Sequence, residues 1–208
     1  MKKSIFLAAL GLAAGLASAS GQGYVWFSSY NANNNIGALT SFAFNAGTGP
    51  VGTGYTAELY YALGTVSDPV DNIWIMSIMS PPTGLTPLGV KANYMTGEAA
   101  GYFDGGRVQI PGYTGGPITF EVVAYQTSAG SYESSIWRGR SASFTMDGIS
   151  TSLWVAIPYL GDNGQPMPNF FVAGMPEPTT LTLAGLGGLV ALAALRLEQN
   201  RKTASATP

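Results

Sequence analysis

Tyr55-Thr56-Ala57-Glu58-Leu59-Tyr60-Tyr61-Ala62-Leu63 and Ile118-Thr119-Phe120-Glu121-Val122-Val123-Ala124-Tyr125 are the stretches that decide the fold of this 208-residue chain. Side chains alternate across a strand with period two, so the first stretch puts Ala57, Leu59, Tyr61 and Leu63 on one face and Thr56, Glu58 and Tyr60 on the other. The second turns Ile118, Phe120, Val122 and Ala124 inward. Both read as half-buried strands.

Working outward, weaker strand signals run from Tyr24 to Ser29, Ser41 to Asn45, Ile73 to Met79, Gly106 to Ile110, Ala142 to Met146 and Leu153 to Ile157. Turn chemistry separates them at Asn31 to Asn35, Gly47-Thr48-Gly49-Pro50, Ser80-Pro81-Pro82, Asp104-Gly105-Gly106, Gly115-Gly116-Pro117, Asp147-Gly148 and Asp162-Asn163-Gly164. Short strands spaced by such turns predict an all-β fold, a β-sandwich formed as one domain over residues 20–157. Residues 80–100 are less regular, and Ala92 to Ala100 fits a short helix or a wide loop. Residues 158–178, rich in proline and glycine, read as a flexible stalk.

The two ends follow a different logic. Lys2 and Lys3 open a positive region, Ile5 to Leu16 is apolar, and Ala17-Ser18-Ala19 offers the small residues of a signal-peptidase site. A run of about a dozen apolar residues is too short to span a bilayer and has no polar stripe for a soluble helix. Residues 1–19 therefore read as a secretion signal. At the other end, Thr179 to Leu195 is uncharged and rich in Leu, Ala and Gly, long enough at about 17 residues for a short membrane span. Arg196, Arg201 and Lys202 follow it, and basic residues beyond a span favour a cytoplasmic end, here residues 196–208.

Met175-Pro176-Glu177-Pro178-Thr179-Thr180, the Gly- and Leu-rich span and Arg196 resemble the PEP-CTERM sorting signal of exopolysaccharide-producing Gram-negative bacteria. The resemblance covers about thirty residues and concerns destination, not activity. It implies recognition of Pro176, Glu177, Pro178 and Arg196 by an exosortase, a membrane transpeptidase-like enzyme that cuts near the Pro-Glu-Pro. The chain departs from the family where Leu197-Glu198-Gln199-Asn200 interrupts the basic end. The prolines around Glu177 disfavour helix and keep that segment extended, as a peptidase cleft requires. The order of Tyr24 to Phe27, Glu58 to Leu63, Gly105 to Arg107, Pro111 to Tyr113 and Phe120 to Tyr125 also resembles a group of small PEP-CTERM proteins with no established activity.

Between the addresses the body has nine acidic side chains against four basic ones, Lys91, Arg107, Arg138 and Arg140, a net charge near minus five. No basic cluster is present to displace counterions from phosphates, so nucleic acid is not an expected partner. Cysteine is absent and no disulfide staples the domain. Histidine is absent too, which removes Ser-His-Asp triads, Cys-His pairs and imidazole-bound zinc. Lys91 is the body's only lysine and lies in no Ser-x-x-Lys motif.

Carboxylate chemistry stays open, because glycoside hydrolysis needs two Asp or Glu side chains across the scissile bond. Glu58 and Glu121 would be neighbours if their strands pair. Their mid-strand polar-face positions read instead as solvated, opposite Arg107 or Arg138, with nothing local to raise either pKa as acid catalysis demands. Asp68 with Asp71, and Asp162-Asn163-Gly164, lack the alternation of a calcium loop and read as turns. Arg138-Gly139-Arg140 reads as a solvated turn. Trp26, Trp74, Trp137 and Trp154 either fill the core or stack against sugar C–H faces. Tyr132 and Trp137, in a serine-rich context, are the expected exposed pair for glycan contact.

The sequence thus predicts an exported, non-enzymatic surface or matrix protein without a cofactor. Its partners would be signal peptidase, an exosortase and the membrane, and it would be tethered by residues 179–195 before release to the cell surface. Exopolysaccharide binding is the alternative, and glycoside hydrolysis a weaker one.

Overall fold

A computed structural model describes residues 21–31, 36–43, 49–71 and 74–175. The expected signal segment, Pro176, Glu177, Pro178, the expected span at 179–195 and Arg196 lie outside these residues. Among the described residues no helix is long and apolar enough to cross a membrane.

In chain order the strands are β1 (Gln22–Ser28), β2 (Tyr30–Asn31), β3 (Ile36–Gly37), β4 (Thr40–Phe42), β5 (Tyr55–Leu63) and β6 (Thr86–Asn93). They continue with β7 (Asp104–Pro111), β8 (Ile118–Gln126), β9 (Trp137–Arg140), β10 (Phe144–Met146) and β11 (Phe170–Gly174). The fold is all-β, built on a seven-stranded sheet in the order β4-β11-β9-β8-β5-β6, with β10 also paired to β8. At its centre β5 and β8 pair antiparallel, from Tyr55 opposite Gln126 to Leu63 opposite Ile118. The second edge of β8 is shared: β9 takes Val123 to Tyr125 and β10 takes Ile118 to Phe120. Ser141 fills the gap, its amide donating to the Val122 carbonyl while its hydroxyl accepts from the Val122 amide.

A separate antiparallel ribbon, β1 with β7, lays Val25, Phe27, Val108 and Ile110 into the same core as Ala57, Leu59, Phe120, Val122 and Ala124. The inward faces expected for the two leading strands are found there, although Leu63 is exposed at the end of β5. The opposite face of the sheet is buried as well. Tyr60, Val123, Tyr125 and Tyr132 form one cluster on it, and Ala43, Ile78, Met79 and Ala173 another.

That second covering comes from an unexpected helix. Ile73 to Met79 reads as a strand from its branched residues, yet Ile75–Met79 is helical. The spacing of Ile75, Ile78 and Met79 gives one apolar stripe at helical period, and Ile78 and Met79 are buried by it. Pro81 and Pro82 prevent its continuation. Residues 80–100 settle into β6 followed by a single 3-10 turn, Gly97–Ala99. Leu153 to Ile157 is not a strand. Ser150 and Ser152 tie it into a turn, and Leu153, Trp154 and Val155 are exposed.

The stalk expected at 158–178 is corrected over most of its length. Leu160 and Met167 are buried in the main core, and β11 lies inside the sheet, parallel to β4 and antiparallel to β9. Prolines 158, 166 and 168 shape loops between these anchors, because each anchor has a core site to fill. The compact unit closes at Gly174. Two glycines permit this closure: a Cβ on Gly139 would strike the Phe171 backbone, and one on Gly174 would enter the Trp137 ring.

A chain ended after residue 157 is expected to lose the cooperative thermal transition seen in circular dichroism, whereas residues 22–174 melt in one step. Cooperative melting of the shorter chain would show that β11 is dispensable.

Candidate functional site

The second face of the sheet holds an ionic centre whose residues come from four places in the chain. Arg140, at the end of β9, is 3% exposed and Glu121, mid-β8, has no exposed surface. Strand alternation and the pairing of β8 with β9 set Arg140 beside Val123 on the face that carries Glu121. Arg140 Nη1 lies 2.8 Å from Glu121 Oε1 and 2.9 Å from Asp68 Oδ2, Nη2 donates to Asp68 Oδ1 at 3.2 Å, and Nε donates to Ser80 Oγ at 3.1 Å. Asp68 is held in turn by its own backbone, which exchanges hydrogen bonds with Ser143, and by the Thr83 amide on Oδ2.

Two carboxylates face one guanidinium, leaving one negative charge in excess. Burial pushes Glu121 up to about 8 against the opposing hydrogen bond and charge of Arg140, with the charge of Asp68 adding to the rise. Burial thus biases Glu121 toward its protonated form. Burial works against the charge on Arg140, but Glu121 and Asp68 outweigh it and keep the guanidinium above its ordinary value.

These facts correct four expectations. Glu121 is not solvated and its pKa is raised. Glu58 is also buried, accepts from the Tyr125 hydroxyl at 3.2 Å and faces Lys91 Nζ at 3.9 Å. Arg138-Gly139-Arg140 is a strand, not a solvated turn. Asp68 is an ion-pair partner and not merely a turn former. A carboxyl with no exposed surface is closed to a substrate, so the raised value belongs to the core. A signal did exist: Val123 and Tyr125 share the face of Glu121, and a strand apolar on both faces is covered on both, so its one charge needs a buried partner.

Tyr132 and Trp137 do not form an exposed pair. Tyr132 is 1% exposed, its hydroxyl donates to the Ser80 carbonyl at 3.0 Å, and the Arg138 guanidinium sits 5.0 Å over its ring. Trp137 packs over Gly174 on the opposite face of the sheet, against the main core. Alternation along the strand starting at Trp137 separates the two sides.

The outward aromatic surface lies on the ribbon instead. Gln22, Tyr24 and Trp26 alternate with the buried Gly23, Val25 and Phe27, and Trp26 is opposite Arg107 while Tyr24 is opposite Gln109. The Trp26 and Tyr159 rings are stacked, with centroids 5.8 Å apart and planes 17° from parallel. The free edge of β1 is bounded by the loop that follows β10: the Tyr24 amide donates to the Ser150 carbonyl and the Trp26 amide to the Pro158 carbonyl. Trp154, 95% exposed, projects from that loop. An open groove of about 710 Å³ runs beside it, lined by residues including Asp147 and Asp162. Asp162 is committed to the turn, with Oδ1 accepting from Asn31 and Oδ2 from the Tyr159 amide.

No protein-family model matches the chain, and no curated protein or solved structure is similar enough to count as a match.

Glu121 binds its proton more tightly when folded, at about 8, than at its ordinary value of 4.5. The unfolded chain thus gives up that proton first as pH rises. The stabilisation from this group is complete below about 4.5, falls through the interval and reaches its floor above about 8. Melting temperatures followed by circular dichroism should drop from pH 5 to pH 9, and Glu121→Gln should flatten the profile. A rise over that range in the unmodified protein would exclude a protonated Glu121.

Proposed function

We propose that the protein is an exported surface or matrix component in which a non-enzymatic, sandwich-like β-domain is delivered by the Pro176-Glu177-Pro178 tail. The observation that carries this reading is the end of β11 at Gly174, two residues before Pro176. Only Met175 separates the motif from the last sheet residue, so processing there would leave every described sheet strand in the released product. The tripartite signal at residues 1–19 and the apolar stretch with Arg196 supply the other steps: signal peptidase at the first, membrane capture and exosortase recognition at the second.

Glycan binding is the second reading, and the stacked Trp26–Tyr159 pair on the outer face of the ribbon favours it. Two half-exposed rings in parallel contact offer apolar surface against which sugar C–H groups pack. This surface replaces Tyr132 and Trp137 as the candidate contact. Hydrolysis is the weaker fit, since Glu121 is sealed in the core and Asp162 is fixed by two hydrogen bonds.

Mass spectrometry of the chain expressed with and without an exosortase tests the first reading. The expected product with the enzyme ends near Pro176, and an Arg196-containing end in both hosts would sink it.

A further inference from the structure

The ribbon's outer face carries a cation as well as rings, and the fate of the body's other cations makes it informative. Arg140 is enclosed by Glu121 and Asp68. Arg138 donates to the Tyr132 and Glu133 carbonyls and covers the Tyr132 ring. Lys91 faces Glu58 and donates to the Gly130 carbonyl. Among the described residues Arg107 alone has its charge uncommitted: no carboxylate, carbonyl or ring takes its guanidinium, even though Asp104 is three residues away on the same strand. The Asp104 carboxylate instead accepts from the Gly106 amide.

Arg107 is directly opposite Trp26 in the antiparallel register and is exposed on the same face. Side chains so paired have Cβ atoms about 5 Å apart, within the compass of one sugar ring. Gln109 opposite Tyr24, and Gln22 at the end of the strand, add amide donors and acceptors along the row. The body otherwise has an excess of negative charge, so a polyanion is attracted only where this one guanidinium meets it.

We propose that the outer face of the β1–β7 ribbon binds a polysaccharide containing uronic acid, with the sugar ring against Trp26, which Tyr159 braces by stacking, and the sugar carboxylate on Arg107. The inference rests on the glycan-binding reading and specifies the ligand class for it. Arg107 presents the planar fork that matches a carboxylate, and Trp26, braced by the stacked Tyr159, presents the apolar surface that matches the ring. General repulsion from the acidic body rejects polyanions whose carboxylates miss that register.

The test uses the full-length chain in detergent with immobilised polygalacturonate, the same polymer fully methyl-esterified, and a neutral β-glucan, with circular dichroism confirming that each variant is folded. The expected result is preference for the free acid, a loss of at least about tenfold on it for Arg107→Gln, the size of one charge-assisted pair, and little change on the ester. Trp26→Ala is expected to weaken binding to both forms. Equal binding of acid and ester, or an Arg107→Gln variant that binds the acid undiminished, would overturn the carboxylate assignment while leaving glycan binding in place. No binding to any of the three polymers would overturn the glycan reading itself.

Discussion

Arg140 is the junction on which the second face of the sheet depends. Its guanidinium reaches Glu121 on the central strand, Asp68 on the loop after β5 and Ser80 beyond the short helix. Removing an ion from water is costly, and the cost is met only where the geometry is good and the hydrogen bonds are filled. Here the bonds of Arg140 join segments that Ser143, Thr83 and Tyr132 also tie together, while Glu121 Oε2 is left without a partner among the described residues. Taking away the arginine alone would leave Asp68 with no countercharge in the core, a penalty of about 3 to 5 kcal/mol for comparable buried pairs. The upward pull of burial on Glu121 favours its neutral form, which lowers the charge the centre has to balance.

Much of this was legible in the sequence, but unevenly. The alternation at 55–63 and 118–125 identifies the two central strands and the inward face of each, because a strand with one apolar row declares its core side directly. The same alternation misleads about the other row. Glu58 looks solvated when its strand is considered alone, and the helix at 75–79 and the segment around Tyr132 show that this face is covered; Val123 and Tyr125 beside Glu121 are the local sign of it. Covering of this kind is tertiary, and the row of Glu58 carries a weaker local sign of it than the row of Glu121. Tyr132 failed as a surface residue for this reason: its polar neighbours Ser131 and Ser134 hydrogen-bond each other at the surface while the ring turns inward.

The last strand shows the limit of composition. Five prolines and three glycines between 158 and 178 suggest a spacer, yet Phe170-Phe171-Val172-Ala173 within that span is an apolar run able to join a sheet. Phe170 and Val172 enter one core and Phe171 and Ala173 the other, so a strand with no polar face came to lie between two covered faces. The ribbon is the converse. One row of β1 is buried and the other is not, and the exposed row concentrates the rings and the uncommitted cation.

Since β11 is hydrogen-bonded on both sides, it is also the strand through which any pull from the tail enters the domain. Its bonds to β4 and to β9 lie across the strand direction, so tension along β11 loads them together in shear instead of peeling them one after another. Resistance of that kind is a matter of unfolding rate and not of equilibrium stability. A tethered domain gripped by an outside polymer at its ribbon would feel flow or drag as tension between ribbon and tail. The route between them runs through the shared core and the sheet, with no flexible spacer before Gly174 to absorb it.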